Sequence, residues 1–253
     1  MSSRPRRILD VPTSSGSPGP PGSGGEPGGP TPPIKGPPLP RPWVGYAVLV
    51  GAVGLFLLEE FKVVPRALVA PDGTLVSDRV GPLALFGPLV QSGEYWRMLT
   101  AVLEHGGILH LVFNMSVVVT LGFTLERGIG SARFLGLSIV SALGSSAFSL
   151  IFNFDVTTVG ASGMILGWAG AMLPVSTREG RRELFIWLAQ VAVLSLLPFV
   201  SWAGHLGGFL FGLPCGIALR LGRQVYARAL PIILFLTLVV AFFAAHPERR
   251  GSL

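Results

Sequence analysis

Cysteine is nearly absent from this chain: Cys215 is the only one, and it lies inside an apolar run, so no internal disulfide can form and no thiol chemistry is suggested. Charge is also scarce. Charged residues make up 13% of the 253 and hydrophobic residues 50%, a balance that excludes an ordinary soluble domain. Carboxylates are missing from the middle of the second, fourth and sixth long apolar stretches, which leaves no buried Ser-His-Asp triad. There are only four histidines and no His-Glu-x-x-His cluster, so neither a metal site nor a cofactor is expected. The formal charge of +6 does not point to nucleic acid, because the basic residues sit in the N-terminal segment and in short loops between apolar stretches.

What the chain does have is repeated apolar segments of membrane-crossing length, about 20 residues each. Seven spans are expected, at about 43–63, 107–125, 132–153, 160–176, 183–200, 202–220 and 229–245. The fold class is therefore an all-α polytopic membrane protein. Residues 1–42 are rich in Pro, Gly and Ser with scattered arginines, and are expected to be a disordered basic tail. Basic groups at Arg127 and Arg133, at Arg178, Arg181 and Arg182, and at Arg220, Arg223 and Arg228 alternate with turns that carry none. By the positive-inside rule this places the N-terminus in the cytoplasm and the C-terminus outside, with a long outer loop at about 64–106.

In that topology spans two, four and six run in the same direction, so the depths of their polar residues can be compared. Counted from the inner arginines at about 1.5 Å per residue, Ser162 lies roughly 24 Å above Arg178 and His205 roughly 22 Å above Arg220. The same count puts His110 roughly 25 Å and Asn114 roughly 20 Å above Arg127. Four polar groups share one layer, within reach of water from the outer side. Span four carries Gly160, Gly163, Gly167 and Gly170, and span six carries Gly204, Gly208, Gly212 and Gly216. Such stripes let two helices approach closely in lipid.

Ser162 stands in a Gly-x-Ser-Gly string, which by itself fits a structural serine as well as a nucleophile. An ionisable His205 in an apolar span is costly and points to function. A serine needs a base, and a neutral imidazole can serve. His110 and Asn114, four residues apart, share a helix face; with the Ser162 backbone N–H they can stabilise an oxyanion. A Ser162–His205 dyad is the expectation. Asp155 is expected in a solvated turn, His105 to brace the outer loop, and His246 to have no partner.

These residues resemble those of the rhomboid proteases. The match runs from Glu94-Tyr95-Trp96-Arg97 through His105, His110-Leu-Val-Phe-Asn114 and Glu126-Arg127-Gly-Ile-Gly130 to Gly160-Ala-Ser162-Gly163 and Gly204-His205-Leu-Gly-Gly208-Phe-Leu-Phe-Gly212. The resemblance implies a six-helix core over 43–221, a short fourth helix bearing the serine, and an outer loop dipping beside the bundle. Trp96, Arg97, Glu126, Arg127, Gly160, Gly163, Gly208 and Gly212 would then be structural motif residues. It also implies an intramembrane serine endopeptidase that needs no cofactor and cleaves transmembrane protein substrates within the lipid bilayer, in a bacterial inner membrane. The seventh span, in 222–253, resembles the extra C-terminal helix of some members. The chain departs from the family at Leu166, where many members stack an aromatic residue on the histidine. The competing expectations are a catalytically weak or inactive relative that binds membrane helices in quality control or trafficking, and a transporter. The missing intramembrane carboxylates and the lack of an inverted repeat argue against a transporter.

Overall fold

The computed structural model describes residues 39–198 and 200–249; the expected basic tail lies almost wholly outside the described residues. Helix α1 (Trp43–Glu60) is apolar up to Glu59 and Glu60 in its last turn and ends just before Lys62, whose φ is 58°. A long segment between the first two spans follows, with a small antiparallel hairpin of β1 (Leu68–Val69) and β2 (Leu75–Ser77) and two short helices, α2 (Gly87–Gln91) and α3 (Arg97–Thr100). The hairpin was not expected from the sequence, because strands of two and three residues are too short to show alternation.

The second span is a continuous helix, Ile108–Ile129, built of α4 (Ile108–Val117), a π-helical turn (Val118–Gly122) and α5 (Phe123–Ile129). It runs several residues beyond the expected end at 125. Then come α6 (Ser131–Phe152), α7 (Ser162–Val175), α8 (Arg178–Leu194), α9 (Trp202–Leu221) and α10 (Arg223–Ala245). Five of these helices, Trp43–Glu60, Ile108–Ile129, Ser131–Phe152, Trp202–Leu221 and Arg223–Ala245, are long and apolar enough to cross a membrane; α7 is apolar but short. The protein is a polytopic α-helical membrane protein.

Two expected spans shift. The fifth was expected over 183–200, yet α8 occupies Arg178–Leu194, its first turns are charged, and it is not among the helices apolar enough to count as a span. The reason is local: the Thr177 hydroxyl accepts the Gly180 N–H at 3.2 Å and starts the helix there. The seventh, expected from 229, begins at Arg223, because Gly222 at φ +132° supplies the break and Pro231 is accommodated inside the helix.

Helix α6 forms the centre. Of its most apolar stretch 67% is buried inside the protein, against 22% for α1 and 17% for α10, so the latter two leave most of their surface to lipid. Trp168 of α7 is fully buried, tilted against Phe134 at 4.8 Å, and its Nε1 donates to Ser138 Oγ at 3.0 Å. This pins α7 to α6. On the other side, a Cβ at Gly208 would fall on the Gly163 carbonyl, one at Gly212 on the Gly167 carbonyl, and one at Gly216 on Ala171. The small-residue stripes of α7 and α9 therefore face each other with their backbones in contact, as close packing in lipid requires.

Candidate active site

The turn ahead of α7 is fixed before the serine is reached. Arg97, buried in the segment between the first two spans, donates from Nη1 to the Pro82 and Ala84 carbonyls at 2.5 and 2.9 Å and is paired with Glu94 at 2.7 Å. The Trp96 ring lies 4.5 Å from its guanidinium. The loop so held presents Leu85, which exchanges backbone hydrogen bonds with Thr158 at 2.9 Å in both directions, and Gly87, whose N–H donates to Phe154 O at 3.0 Å. The Gly160 N–H donates to the Ala101 carbonyl at 2.9 Å. This long loop therefore fixes the turn by which the chain enters α7.

Gly160 is required at that entry. Its φ is +112°, and a Cβ there would stand 2.6 Å from His110 Cε1 and 2.7 Å from Nε2. Only glycine admits both the left-handed backbone and the imidazole. Ser162 is the first residue of α7, where backbone N–H groups have no intrahelical acceptor and the helix dipole favours negative charge. Its Oγ lies 2.8 Å from Nε2 of His205, in the first turn of α9. The α9 start is capped by Ser201, whose hydroxyl accepts the Gly204 N–H at 3.2 Å. Both Ser162 and His205 are half-buried.

His110 stands beside this turn, with His105 edge-on at 5.0 Å. His105 Nδ1 lies 3.2 Å from the Leu103 carbonyl, two residues back in the same turn. Burial, with His110 nearby, depresses its pKa to about 4, so it is neutral at ordinary pH. Asn114 is on the same helix face, but its amide donates to the His110 carbonyl at 2.9 Å. One of its two N–H groups is thus directed at its own helix, leaving one for any other partner. Glu126 is far from the serine; its carboxyl oxygens accept the Val44 and Gly45 N–H groups of α1 at 2.9 and 2.8 Å. The Arg127 guanidinium lies 5.7 Å over Phe123. Leu166 is buried in the core, one turn beyond Ser162.

Three contacts were not foreseen. Ser195, just past α8, reaches Nδ1 of His205 at 2.6 Å. His246, expected to lack a partner, lies 2.7 Å from the Tyr95 hydroxyl and 3.1 Å from Glu248 Oε1. The Ser195–His205 and Tyr95–His246 contacts join separate elements, so no spacing signal was available for them.

A helical membrane protein that brings a helix-terminal serine against a histidine on a neighbouring span belongs to a narrow class. A family model described as Rhomboid domain matches residues 92–222. RHOMBOID-like protein 5 of Arabidopsis thaliana is 32% identical over 242 residues, covering 81% of this chain and 78% of the relative. RHOMBOID-like protein 6, mitochondrial, of the same plant is 36% identical over 180 residues, 66% of this chain and 58% of the relative. Rhomboid protease GluP of Bacillus subtilis (strain 168) is 31% identical over 164 residues, 61% of this chain and 32% of GluP's length. The chain belongs to the rhomboid family.

Proposed function

We propose that this protein is an intramembrane serine endopeptidase in which Ser162 is the nucleophile and His205 the general base. The observation that carries the reading is the 2.8 Å hydrogen bond between Ser162 Oγ and His205 Nε2, made across two helices held together by their glycine faces. In the reaction Ser162 Oγ attacks a peptide carbonyl of a partly unwound transmembrane substrate while His205 Nε2 takes its proton. The Ser162 N–H, His110 and the free N–H of Asn114 stabilise the oxyanion. His205 then protonates the leaving amine and activates water. Trp96, Arg97, Glu126, Arg127, Gly160, Gly163, Gly208 and Gly212 hold the scaffold.

The same reading takes 43–221 as the protease core and the helix within 222–253 as an addition to it, with the N-terminus cytoplasmic and the site opening to the outer side. The similar proteins come from a plant as well as a bacterium, and one is named as mitochondrial, so they do not favour the expected bacterial membrane over an organellar one.

Labelling of the detergent-solubilised protein with a fluorophosphonate probe tests the assignment. Wild type is expected to label, and Ser162→Ala and His205→Ala are expected not to. No wild-type labelling under conditions that label GluP would replace this reading with that of an inactive relative that binds membrane helices. Full cleavage of a membrane substrate by Ser162→Ala would remove the nucleophile assignment.

A further inference from the structure

A Ser–His pair leaves one side of the imidazole unaccounted for, and here that side is occupied. Nε2 of His205 faces Ser162 Oγ at 2.8 Å, while Nδ1 faces Ser195 Oγ at 2.6 Å. Ser195 is the residue after the last of α8 and is 9% exposed. Its hydroxyl also lies 2.7 Å from the Val191 carbonyl oxygen.

Proton counting gives this arrangement a direction. A serine hydroxyl has one proton to donate, and a carbonyl oxygen can only accept. With its proton on Val191 O, Ser195 Oγ offers a lone pair to Nδ1 of His205, which must then carry the hydrogen. A neutral imidazole protonated at Nδ1 has its lone pair at Nε2. That is the nitrogen facing Ser162. The opposite tautomer would point an N–H at Ser162 Oγ and leave no base to activate it.

We propose that Ser195 is a positioning residue that holds His205 in the Nδ1–H tautomer and in the orientation that aims Nε2 at Ser162. The proposal deepens the protease reading and rests on it. Ser195 takes the place that a carboxylate has in a Ser-His-Asp triad, with a neutral acceptor in place of a charged one. When the Ser162 proton moves to Nε2, the resulting imidazolium keeps its Nδ1–H donated to Ser195, and no proton passes to Ser195. Because charge-assisted hydrogen bonds are roughly twice as strong as neutral ones, the bond strengthens as the imidazolium forms. Among the described residues the two hydroxyls are the hydrogen-bond partners of this ring, so loss of Ser195 frees it to rotate and to exchange tautomers.

The test compares wild type, Ser195→Ala and Ser195→Thr in detergent for cleavage of one membrane substrate, with thermal midpoints as a folding control. Ser195→Ala is expected to lower kcat roughly 10-fold with KM within about twofold, the pattern of a contact that matters in the transition state. Ser195→Thr, which keeps the hydroxyl, is expected to recover kcat to within about threefold of wild type. An unchanged or raised kcat in Ser195→Ala would overturn the proposal, a rise showing that the hydroxyl donates to Nδ1 instead. So would a loss in KM alone.

Nitrogen-15 spectra of the histidine rings, with His205 identified by its absence from His205→Ala, decide the point without activity. The Nδ1–H form is expected in wild type and a tautomer mixture in Ser195→Ala; an Nε2–H form in wild type would overturn the proposal. Failure of the protease reading is read separately, as equal cleavage by wild type and Ser162→Ala.

Discussion

His246 Nε2, one residue beyond α10, lies 2.7 Å from the hydroxyl of Tyr95 on the outer loop. The same histidine contacts Glu248, and Glu248 accepts from Gln91 Nε2 at 2.7 Å. The C-terminal helix is thereby fastened to the segment that positions the serine turn. Tyr95→Phe removes one hydrogen bond, worth about 0.5–1.5 kcal/mol, and is expected to lower the thermal midpoint by a few degrees. Amide exchange should quicken in Gly87–Gln91 and stay unchanged in α7. Equal acceleration in both segments would mean that the contact is not a local fastening.

Close approach of α7 and α9 predicts opposite responses at two glycines. A Cβ at Gly208 meets the Gly163 carbonyl, whereas one at Gly54 in α1 meets nothing within 4 Å. Overpacking costs about 1–3 kcal/mol, and the loss of a helical glycine gains about 0.5–1 kcal/mol. Gly208→Ala should lower the thermal midpoint by several degrees and Gly54→Ala should hold or raise it. Equal midpoints in the two variants would contradict the backbone contact.

Glu104 and His105 are adjacent and titrate in opposite senses. Burial, with the Glu59 carboxylate nearby, raises Glu104 from 4.5 to about 7, while burial lowers His105 from 6.5 to about 4. Glu104 accepts the Gly81 and Leu83 N–H groups and so anchors the outer loop. Between the unfolded and folded values the native state holds the Glu104 proton that the unfolded state has lost. Its contribution is therefore full at low pH and is lost as pH rises through about 7. For His105 the unfolded state holds the extra proton, so stability is full above 6.5 and falls as pH drops towards 4. The two trends offset each other in wild type. Glu104→Gln should expose a loss of thermal stability on acidification, and His105→Gln a loss on raising the pH. Parallel midpoint curves for wild type and both variants would refute the pairing.

Apolar runs were enough to read five of the seven expected spans as helices long and apolar enough to cross a membrane, because a bilayer demands length and hydropathy from each span. Helix α7 is apolar but short, and α8 is not among them. The shared level of Ser162 and His205 came from counting residues, and the two side chains meet at 2.8 Å. The start of α8 was misplaced because the charged residues after Thr177 were read as a loop, whereas the threonine cap draws them into the helix. Ser195 could not be read at all. It is one serine in an apolar stretch, and its meeting with His205 depends on how the chain returns from α8 to α9. Asn114 shares a helix face with His110, as a spacing of four requires, but the direction of its amide towards the His110 carbonyl is a side-chain choice that spacing does not reveal.

Glu126 gives the sharpest test of how a distant residue supports the core. Its side chain, 1% exposed, caps α1 across more than eighty residues by accepting the Val44 and Gly45 N–H groups, which the helix itself leaves unpaired. Pro42 precedes the helix and makes no side-chain cap, so the carboxyl group does what an N-cap residue ordinarily does. Gly45 allows the approach, since a Cβ there would stand 2.6 Å from the Phe123 ring. Glu126→Gln keeps one acceptor but turns an NH2 towards the other N–H, and Glu126→Ala removes both. Hydrogen bonds of a buried polar group cost about 1–3 kcal/mol when one partner is deleted, so both variants should melt several degrees below wild type. Exchange of the Val44 and Gly45 amides should rise at least tenfold, as about 1.4 kcal/mol of lost protection requires. Were those two amides to exchange at the wild-type rate in Glu126→Ala, the Glu126 carboxyl would not be what protects the start of α1.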